Sequence, residues 1–355
     1  MMRMKHFVPD YHNIIQAACN MCPTRLPLYD HNIDEPFVSK YLRSDLGALL
    51  AGGTVDAIEE YFRAYCGVCY EMGYDTISFE YCIGPVMPGS GSLGGHKPGV
   101  IKNRRDFDRY PWETIEDLYF DKSGIYFEIL REKLPCGMKA VGGAGNGIFE
   151  CVQDIVGFEN LCMIAFDDPE LYSLLFEHVG QVCIRIWKKV LDNFGDIFAV
   201  CRFGDDLGYK TSTLLSAQDI QTHIIPQYKK IVDIVHSYDK PFLLHSCGSI
   251  FDVMDDIIDV AGIDAKHSNE DAIAPFDEWT TQYGNRIGNF GGIDMDVLCQ
   301  RAPEEIRKYT FGVMEKTSQC GGIAYGSGNS IPHYVPVEGY LAMNKAIREF
   351  RGERI

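Results

Sequence analysis

The chain has 355 residues and a formal net charge of -17, from 50 acidic and 33 basic side chains. A surface this acidic repels the phosphates of nucleic acid and of anionic membranes, so a small molecule or another protein is the favoured partner. With 46% hydrophobic residues the chain can bury a core large enough for one α/β barrel or for two domains. It shows neither an apolar leader nor a run of roughly 20 apolar residues, so we expect a cytoplasmic protein whose 13 cysteines are reduced thiols.

Residues 1–24 are expected to form a helical lead-in. After them, short apolar runs alternate with long amphipathic stretches, which is typical of a parallel sheet with helical crossovers. The eight runs are Arg25–Asp30, Asp75–Glu80, Lys139–Gly143, Ile197–Phe203, Pro241–His245, Ile263–His267, Arg286–Phe290 and Gly322–Tyr325.

Eight such units, with no linker or internal repeat between them, predict an α/β fold in which residues 1–355 form a single (β/α)8 TIM barrel domain. The alternative is a doubly wound sheet. That fold would place a glycine-rich fingerprint after its first strand, whereas HNIDEP follows Asp30. Helix start signals support the crossovers: Asp168 precedes Pro169, and Ser216 and Asp219 have the spacing of a capping box.

Two CxxC pairs occur, Cys19 with Cys22 and Cys66 with Cys69. Their separation is far longer than the roughly 15–20 residues of a zinc ribbon, and the second pair lies in a helical pattern of apolar residues. We therefore interpret these cysteines as structural thiols.

Polar residues follow most of the predicted strands, where a barrel builds its active site. Each of them could also be a solvated loop residue or a helix cap, and Asp294 is expected to cap the helix at Val297. The residues are Glu80, Asp205, Asp206, His245, Cys247, His267, Asn269, Glu270, Asp271, Asp294, Ser327 and Asn329.

The run Phe242–Leu244 ends on His245 and Cys247, two good zinc ligands separated by one residue. Alternate residues of an extended chain point the same way, so both side chains can face one ion. Taken alone, such a pair is more often a packed histidine beside a buried thiol. For the third ligand we predict Glu270, with His267 and Asp206 as alternatives. One nitrogen, one sulfur and one oxygen would leave a fourth position open, as in catalytic zinc sites.

Four segments carry a resemblance to a known family. They are Gly204-Asp-Asp-Leu-Gly208, the run LLHSCGS, GNFGGIDMDVL at 288–298 and GSGNSIPHYVPVEGYLAM at 326–343. In order and spacing they are similar to the uroporphyrinogen decarboxylase superfamily of (β/α)8 barrels. The resemblance implies one of two chemistries: cofactor-free decarboxylation of a porphyrinogen, or methyl transfer between a zinc site and a corrinoid protein.

The arginine-rich segment that grips the porphyrinogen carboxylates in the decarboxylases corresponds here to RLPLYDHNIDEP, with one arginine and three acids. By contrast, His245 and Cys247 match the His-x-Cys zinc pair of the methyltransferase branch. One departure is Ser327, which stands where methyltransferases that use coenzyme M usually supply a third, cysteine ligand.

These features together predict a corrinoid-dependent methyltransferase, in which zinc acts as a Lewis acid on a small methylated substrate such as a methyl ether. The corrinoid is expected on a separate protein, because the chain has no cobalamin-binding Asp-x-His-x-x-Gly pattern. Asp206 or Glu80 would donate a proton or orient the substrate, with Asp205, Tyr209 and Asn329 at the substrate. The alternatives are a cofactor-free decarboxylase with Glu80 as its acid, and a barrel that binds a tetrapyrrole without chemistry.

Overall fold

A computed structural model describes residues 7–353 of the chain, apart from residues 52, 96 and 320. Its central element is a seven-stranded sheet in which every neighbouring pair is parallel and the strands lie in chain order. The strands are β1 Thr76–Cys82, β2 Lys139–Gly145, β3 Phe198–Gly204, β4 Phe242–His245, β5 Ala265–His267, β6 Gly288–Ile293 and β7 Ile323–Ser327. The fold is therefore α/β, with the consecutive strand order of a TIM-like barrel.

The first predicted strand, Arg25–Asp30, does not form, so the prediction of eight strands is corrected to seven. Only Leu28 makes a parallel bridge, to Tyr325 of β7. Pro27 has no amide proton and can only accept, from the Tyr325 amide at 3.1 Å, which limits the ladder on that side. On the other side the segment meets β1 through a side chain, because the Ser78 hydroxyl donates to the His31 carbonyl.

Helices connect the strands and flank the sheet in the described part of the chain. They are α1 His12–Ala18, α2 Glu35–Leu42, α3 Leu46–Ala51, α4 Val55–Glu71, α5 Arg104–Arg109, α6 Ile115–Lys133, α7 Ile148–Val156, α8 Phe158–Asp167, α9 Pro169–Phe194, α10 Ala217–Asp219, α11 Ile225–Ser237, α12 Phe251–Asp256, α13 Phe276–Tyr283, α14 Met295–Gln300, α15 Pro303–Thr317 and α16 Val337–Phe350. Over the described residues, none of these helices is both long and apolar enough to cross a membrane.

Local signals in the sequence explain where several helices begin. The Asp168 carboxylate accepts from the Leu171 amide at 3.0 Å, and the Ser216 hydroxyl accepts from the Asp219 amide at 3.0 Å, as predicted. Asp294 caps α14 by accepting from the Asp296 and Val297 amides. The predicted helical lead-in is shorter than expected, since only His12–Ala18 is helical and residues 1–6 lie outside the described part.

The sheet divides the core into two layers. A large layer packs between the sheet and the helices, and a small one fills the concave side with residues such as Val200, Leu243 and Ala265. Helix α1 belongs to this small layer and lies against the amino-terminal ends of β6 and β7, where a side chain on Gly288 or Gly322 would collide with the Ala17 carbonyl. One end of the concave side is thus covered, and the carboxyl ends of the strands form the other.

A buried carboxylate, that of Asp30, connects the segment before α2 with β7 and α16. It accepts hydrogen bonds from the Ser327 amide at 2.8 Å and from the Tyr340 hydroxyl at 3.0 Å, and also from the hydroxyls of Ser327 and Tyr74. Asp30 is only 3% exposed, so its carboxylate has lost its water, and these donors supply the hydrogen bonds that the water made. This set of contacts fixes the segment that carries His31.

Candidate metal centre

The inner face of the sheet changes from apolar to polar toward the carboxyl ends of the strands. Because side chains alternate along a strand, Val200 and Arg202 share the inner face of β3, and Leu243 and His245 share that of β4. His267 of β5 lies directly opposite His245 in the parallel register. The alternation of three neighbouring strands therefore directs one arginine and two histidines into the same space.

His245, Cys247 and Asp206 come together at this edge. The Cys247 sulfur lies 3.5 Å from Nε2 of His245, and the same nitrogen is 3.8 Å from Oδ1 of Asp206. Asp206 also accepts from the Cys247 amide at 2.9 Å, which ties the loop after β3 to the loop after β4. All three can present a ligand atom within 4.8 Å of the others.

Two glycines allow the loops after β3 and β4 to approach each other closely. Gly248 has a φ of +84°, and a Cβ there would lie 2.1 Å from the Gly208 carbonyl carbon, so no other residue fits without moving the backbone. The Gly208 amide donates to the Cys247 carbonyl at 3.2 Å. The close contact of the two glycines places Asp206 beside Cys247.

The Cys247 thiol lies in a half-buried polar setting. The side-chain amide of Asn329 donates to the sulfur at 3.3 Å, and the Ser268 hydroxyl donates to it at 3.8 Å. Burial, followed by the neighbouring Asp206, raises the pKa of Cys247 to about 12. Without a cation beside it the group is therefore a thiol at neutral pH, with two donors in place to stabilise a thiolate.

Three imidazoles, one of them that of His245, lie together near the sulfur. The rings of His31 and His245 are stacked, with 3.6 Å between their centroids, and Nδ1 of His245 lies 2.8 Å from Nδ1 of His267. Burial lowers the pKa of all three histidines, in the case of His267 to about 3. The rings are therefore neutral at physiological pH, which is the form that ligates metals. Nδ1 of His31 is buried and has no hydrogen-bond partner among the described residues.

The predicted third ligand, Glu270, belongs to neither group of potential ligands found among the described residues, which are His31, His245 and His267, and Asp206, His245 and Cys247. The cause lies in the preceding residue. The Asn269 amide donates to the Gly328 carbonyl at 2.9 Å, and its side-chain oxygen accepts from the Gly292 amide at 2.9 Å. The loop after β5 is thereby held over β6 and β7, and the alternative ligand, Asp206, takes the place beside Cys247.

Glu80 lies at the same edge but in an ion pair. Arg202, which is 1% exposed, donates to one oxygen of Glu80 at 2.9 Å and 3.1 Å. The same guanidinium donates to the Tyr29 hydroxyl at 3.1 Å and to the His31 carbonyl at 2.6 Å. The Glu80 carboxylate thus accepts from a permanent cation, an arrangement suited to holding His31 in place.

The predicted substrate residues occupy different settings. Asp205 is fully buried and accepts from the Phe149 and Glu150 amides and from the Tyr228 hydroxyl, so it caps α7 and holds α11. Tyr209 is 64% exposed beside the mouth. The Asn329 side-chain amide donates to the Cys247 sulfur, which places Asn329 beside the candidate metal ligands.

The sequence interpretation missed His31, Arg202 and Glu150. His31 directly follows the first apolar run, so the rule applied to the other strand ends would have found it. Arg202 is a charged residue inside the apolar run Ile197–Phe203, one residue before its end, and a charge at such a position is itself a signal. Glu150 lies in the first turn of α7, where burial and then Asp205 and Asp206 raise its pKa well above the usual range.

The donor set fits zinc. Zinc bonds sulfur at about 2.3 Å and imidazole nitrogen at about 2.0–2.1 Å, which in a tetrahedral site separates the two atoms by roughly 3.5 Å. The observed separation of the Cys247 sulfur and the His245 nitrogen is 3.5 Å. A neutral imidazole, a cysteine whose thiolate form is stabilised by hydrogen-bond donors, and a carboxylate are ligand types that catalytic zinc sites combine.

The profile of the family described as Uroporphyrinogen decarboxylase (URO-D) matches residues 99–350. The chain belongs to the uroporphyrinogen decarboxylase family. The match includes β2 to β7 and all of the candidate ligands that follow them. No curated protein matches the sequence.

One solved structure shares the fold of the chain, and two others match it more weakly. A methyltransferase from Methanosarcina mazei superposes with a TM-score of 0.66 at 15% identity, covering 97% of this chain and 99% of that one. Xylanase B from Clostridium stercorarium F9 matches with a TM-score of 0.42 at 9% identity, over 77% of this chain and 91% of its own. A D-psicose 3-epimerase matches with a TM-score of 0.38 at 9% identity, over 82% and 93%.

Proposed function

We propose that this member of the uroporphyrinogen decarboxylase family is a zinc-dependent methyltransferase that exchanges a methyl group with the corrinoid of a separate protein. The observation that carries the proposal is the 3.5 Å separation of the Cys247 sulfur and Nε2 of His245 at the carboxyl ends of the strands. The fold shared with the Methanosarcina mazei methyltransferase supports it at the level of architecture.

In this proposal His245, Cys247 and Asp206 hold the zinc ion, and Asp206 replaces Glu270 as the oxygen ligand. Asp206 is favoured because its carboxylate already accepts from the Cys247 amide at 2.9 Å. When bound, zinc supplies a Lewis acid that polarises the heteroatom of a methyl donor. Asn329 and Ser268 keep their hydrogen bonds to the sulfur, which spreads the charge of the thiolate.

The other residues shape the mouth. The ion pair of Arg202 and Glu80 fixes the His31 carbonyl, and the stacked His31 ring in turn covers one face of His245. Glu80 therefore acts in this proposal as a positioning residue and not as the proton donor. Tyr209, which is largely exposed, is placed to contact a small substrate or the docked partner.

The corrinoid arrives on a partner protein that docks over the carboxyl ends of the strands. The opposite end is covered by α1, and Asp206 has a side chain that is 44% exposed, so the candidate ligands are reached from the carboxyl side. A small methylated molecule, such as a methyl ether, fits the proposal because its heteroatom needs one open coordination position and no anion-binding arginines.

The test combines metal analysis with a methyl-transfer assay. Anaerobically purified protein should contain about one zinc per chain, and Cys247→Ser should reduce this strongly. The matched control is Cys299→Ser, a thiol on α14 that is not among the candidate ligands. Methyl transfer from a panel of methyl donors to a cobalt(I) corrinoid protein is followed by the absorbance of methylcobalt. Less than half an equivalent of zinc, unchanged in Cys247→Ser, would contradict the proposal and favour a cofactor-free decarboxylase.

A further inference from the structure

His267 lies beside His245 on the neighbouring strand, and their Nδ1 atoms are 2.8 Å apart. Two lone pairs at this distance repel, so one of the two nitrogens must carry a proton and donate it to the other. The direction of this hydrogen bond decides which nitrogen of His245 is free to bind a metal.

The other nitrogen of His267 settles the direction. Its Nε2 lies 3.0 Å from the Ser327 carbonyl oxygen, which can only accept, so Nε2 of His267 carries a proton. His267 is fully buried and forms no ion pair with a carboxylate among the described residues. A second proton on this ring would be an uncompensated buried charge. Nδ1 of His267 is therefore an acceptor.

It follows that Nδ1 of His245 donates to Nδ1 of His267. A neutral imidazole carries one proton, so Nε2 of His245 has a free lone pair. This is the nitrogen that faces the Cys247 sulfur at 3.5 Å and Asp206 at 3.8 Å. The hydrogen bonds thus run from Nδ1 of His245 to His267 and from Nε2 of His267 to the Ser327 carbonyl, and the lone pair on Nε2 of His245 faces the Cys247 sulfur.

We propose that His267, held by the Ser327 carbonyl, is a positioning residue that selects the Nδ1-protonated tautomer of His245 and so prepares Nε2 to bind the metal. This inference rests on the proposed zinc site, and it assigns to His267 a role outside the ligand set. Two nitrogens bound to one tetrahedral zinc would lie roughly 3.3 Å apart, given bonds of about 2.0–2.1 Å, whereas the two Nδ1 atoms lie closer, at 2.8 Å. His267 therefore supports the ligand instead of sharing the ion.

The tautomer is measured directly in metal-free protein labelled with 15N-histidine. Long-range 1H–15N correlation distinguishes a protonated ring nitrogen from one with a free lone pair, and His245→Gln assigns the signals. We expect the His245 proton on Nδ1 and the His267 proton on Nε2. A His245 ring protonated on Nε2 in the native protein would overturn the inference, whatever the variants do.

Two substitutions extend the test to metal affinity. His267→Leu removes the acceptor, and we expect zinc affinity, measured by competition with a chromophoric chelator, to fall about 10–100-fold. His267→Asn places a carboxamide oxygen near the former Nδ1 and should restore most of the affinity. His223→Leu is the control, because His223 packs on the rings of Tyr172 and Phe176. Native affinity in His267→Leu would contradict the inference.

The two proposals fail in different ways. If the His245 proton is found on Nδ1 but the protein binds no zinc, the hydrogen bond from His245 to His267 is present and the proposed function is wrong. If zinc binds but the proton is found on Nε2 of metal-free His245, the metal site stands and the role of His267 is wrong. Because the tautomer is measured without metal, an unstable His267→Leu protein still leaves a decisive result.

Discussion

Arg202 of β3 and Glu80 of β1 form an ion pair inside the sheet, in which one carboxylate oxygen accepts two hydrogen bonds from the guanidinium, at 2.9 Å and 3.1 Å. Their side chains are 1% and 16% exposed. The arginine reaches across to the His31 carbonyl, so the pair connects two strands with the segment that precedes α2.

Glu80→Ala should destabilise the protein by about 3–5 kcal/mol, because it leaves the buried Arg202 without its counter-charge. Glu80→Gln also removes the counter-charge but keeps an acceptor of the same shape for the two hydrogen bonds of Arg202, so it should cost clearly less than Glu80→Ala. The free energy of unfolding in urea measures both. A loss below about 1 kcal/mol for Glu80→Ala would mean that the arginine finds another partner. If Glu80 were instead the acid of a decarboxylase, Glu80→Gln would abolish activity at unchanged stability.

Gly248→Ala should weaken zinc binding, because its Cβ would collide with the Gly208 backbone and separate Asp206 from Cys247. The matched control is Gly262→Ala. Gly262 has a similar φ of +80°, but the nearest atom to an added Cβ is 3.9 Å away. Both changes carry the strain of a positive φ, typically about 1 kcal/mol. Only Gly248→Ala is expected to lower zinc affinity, and equal effects would show that strain alone is responsible.

Zinc binding should release about one proton near neutral pH, since Cys247 must lose its proton to become a ligand. Its pKa, raised to about 12, keeps the metal-free group protonated, whereas the buried His245 is already neutral and releases none. Zinc affinity should therefore increase with pH, by up to about tenfold per pH unit below that pKa. Calorimetry in buffers of different ionisation enthalpy counts the protons. Cys247→Ser should release none, and zero release from the native protein would exclude the thiolate as a ligand.

His236 stabilises the start of β4 in a pH-dependent manner. Its Nε2 lies 2.7 Å from the carboxylate of Asp264, which also accepts from the Phe242 amide. The hydrogen bond that His236 donates to Asp264 raises the pKa of His236. A raised folded pKa means that the stabilisation is complete below the unfolded pKa of about 6.5 and is lost as pH rises through the folded value. Since His236 is 41% exposed, the pair contributes less than about 1 kcal/mol.

His236→Gln tests this. The difference in melting temperature between the native protein and the variant should be larger at pH 5.5 than at pH 8.5. A difference that grows toward alkaline pH would reverse the assigned sign and contradict the ion pair.

Much of the fold could be predicted from the sequence because buried parallel strands are short apolar runs, and seven of the eight predicted runs overlap a strand. The exception, Arg25–Asp30, has the right composition. Its Pro27 limits the hydrogen-bond ladder. Its Asp30 accepts hydrogen bonds from Ser327 of β7 and Tyr340 of α16, and no local pattern reveals these contacts.

The candidate site was predictable where it depends on alternation along one strand. His245 and Cys247 lie side by side because residues i and i+2 share a face. Which of Asp206 and Glu270 lies beside Cys247 was not predictable, because both follow strands adjacent to β4. Two contacts bring Asp206 there and hold the loop of Glu270 elsewhere: the Cys247 amide donates to Asp206, and the Asn269 amide donates to the Gly328 carbonyl.

The hydrogen bonds of Asp30 to Ser327 and Tyr340 join positions 297 and 310 residues apart along the chain. Loops this long close slowly, because both partners of Asp30 are synthesised long after it. We expect the neighbouring His31 to settle against His245 only after β7 and α16 have docked. The candidate ligands Asp206, His245 and Cys247 all precede β7 in the chain. A nascent chain without α16 would therefore already carry these three side chains, but not yet the stacked His31 ring that covers one face of His245.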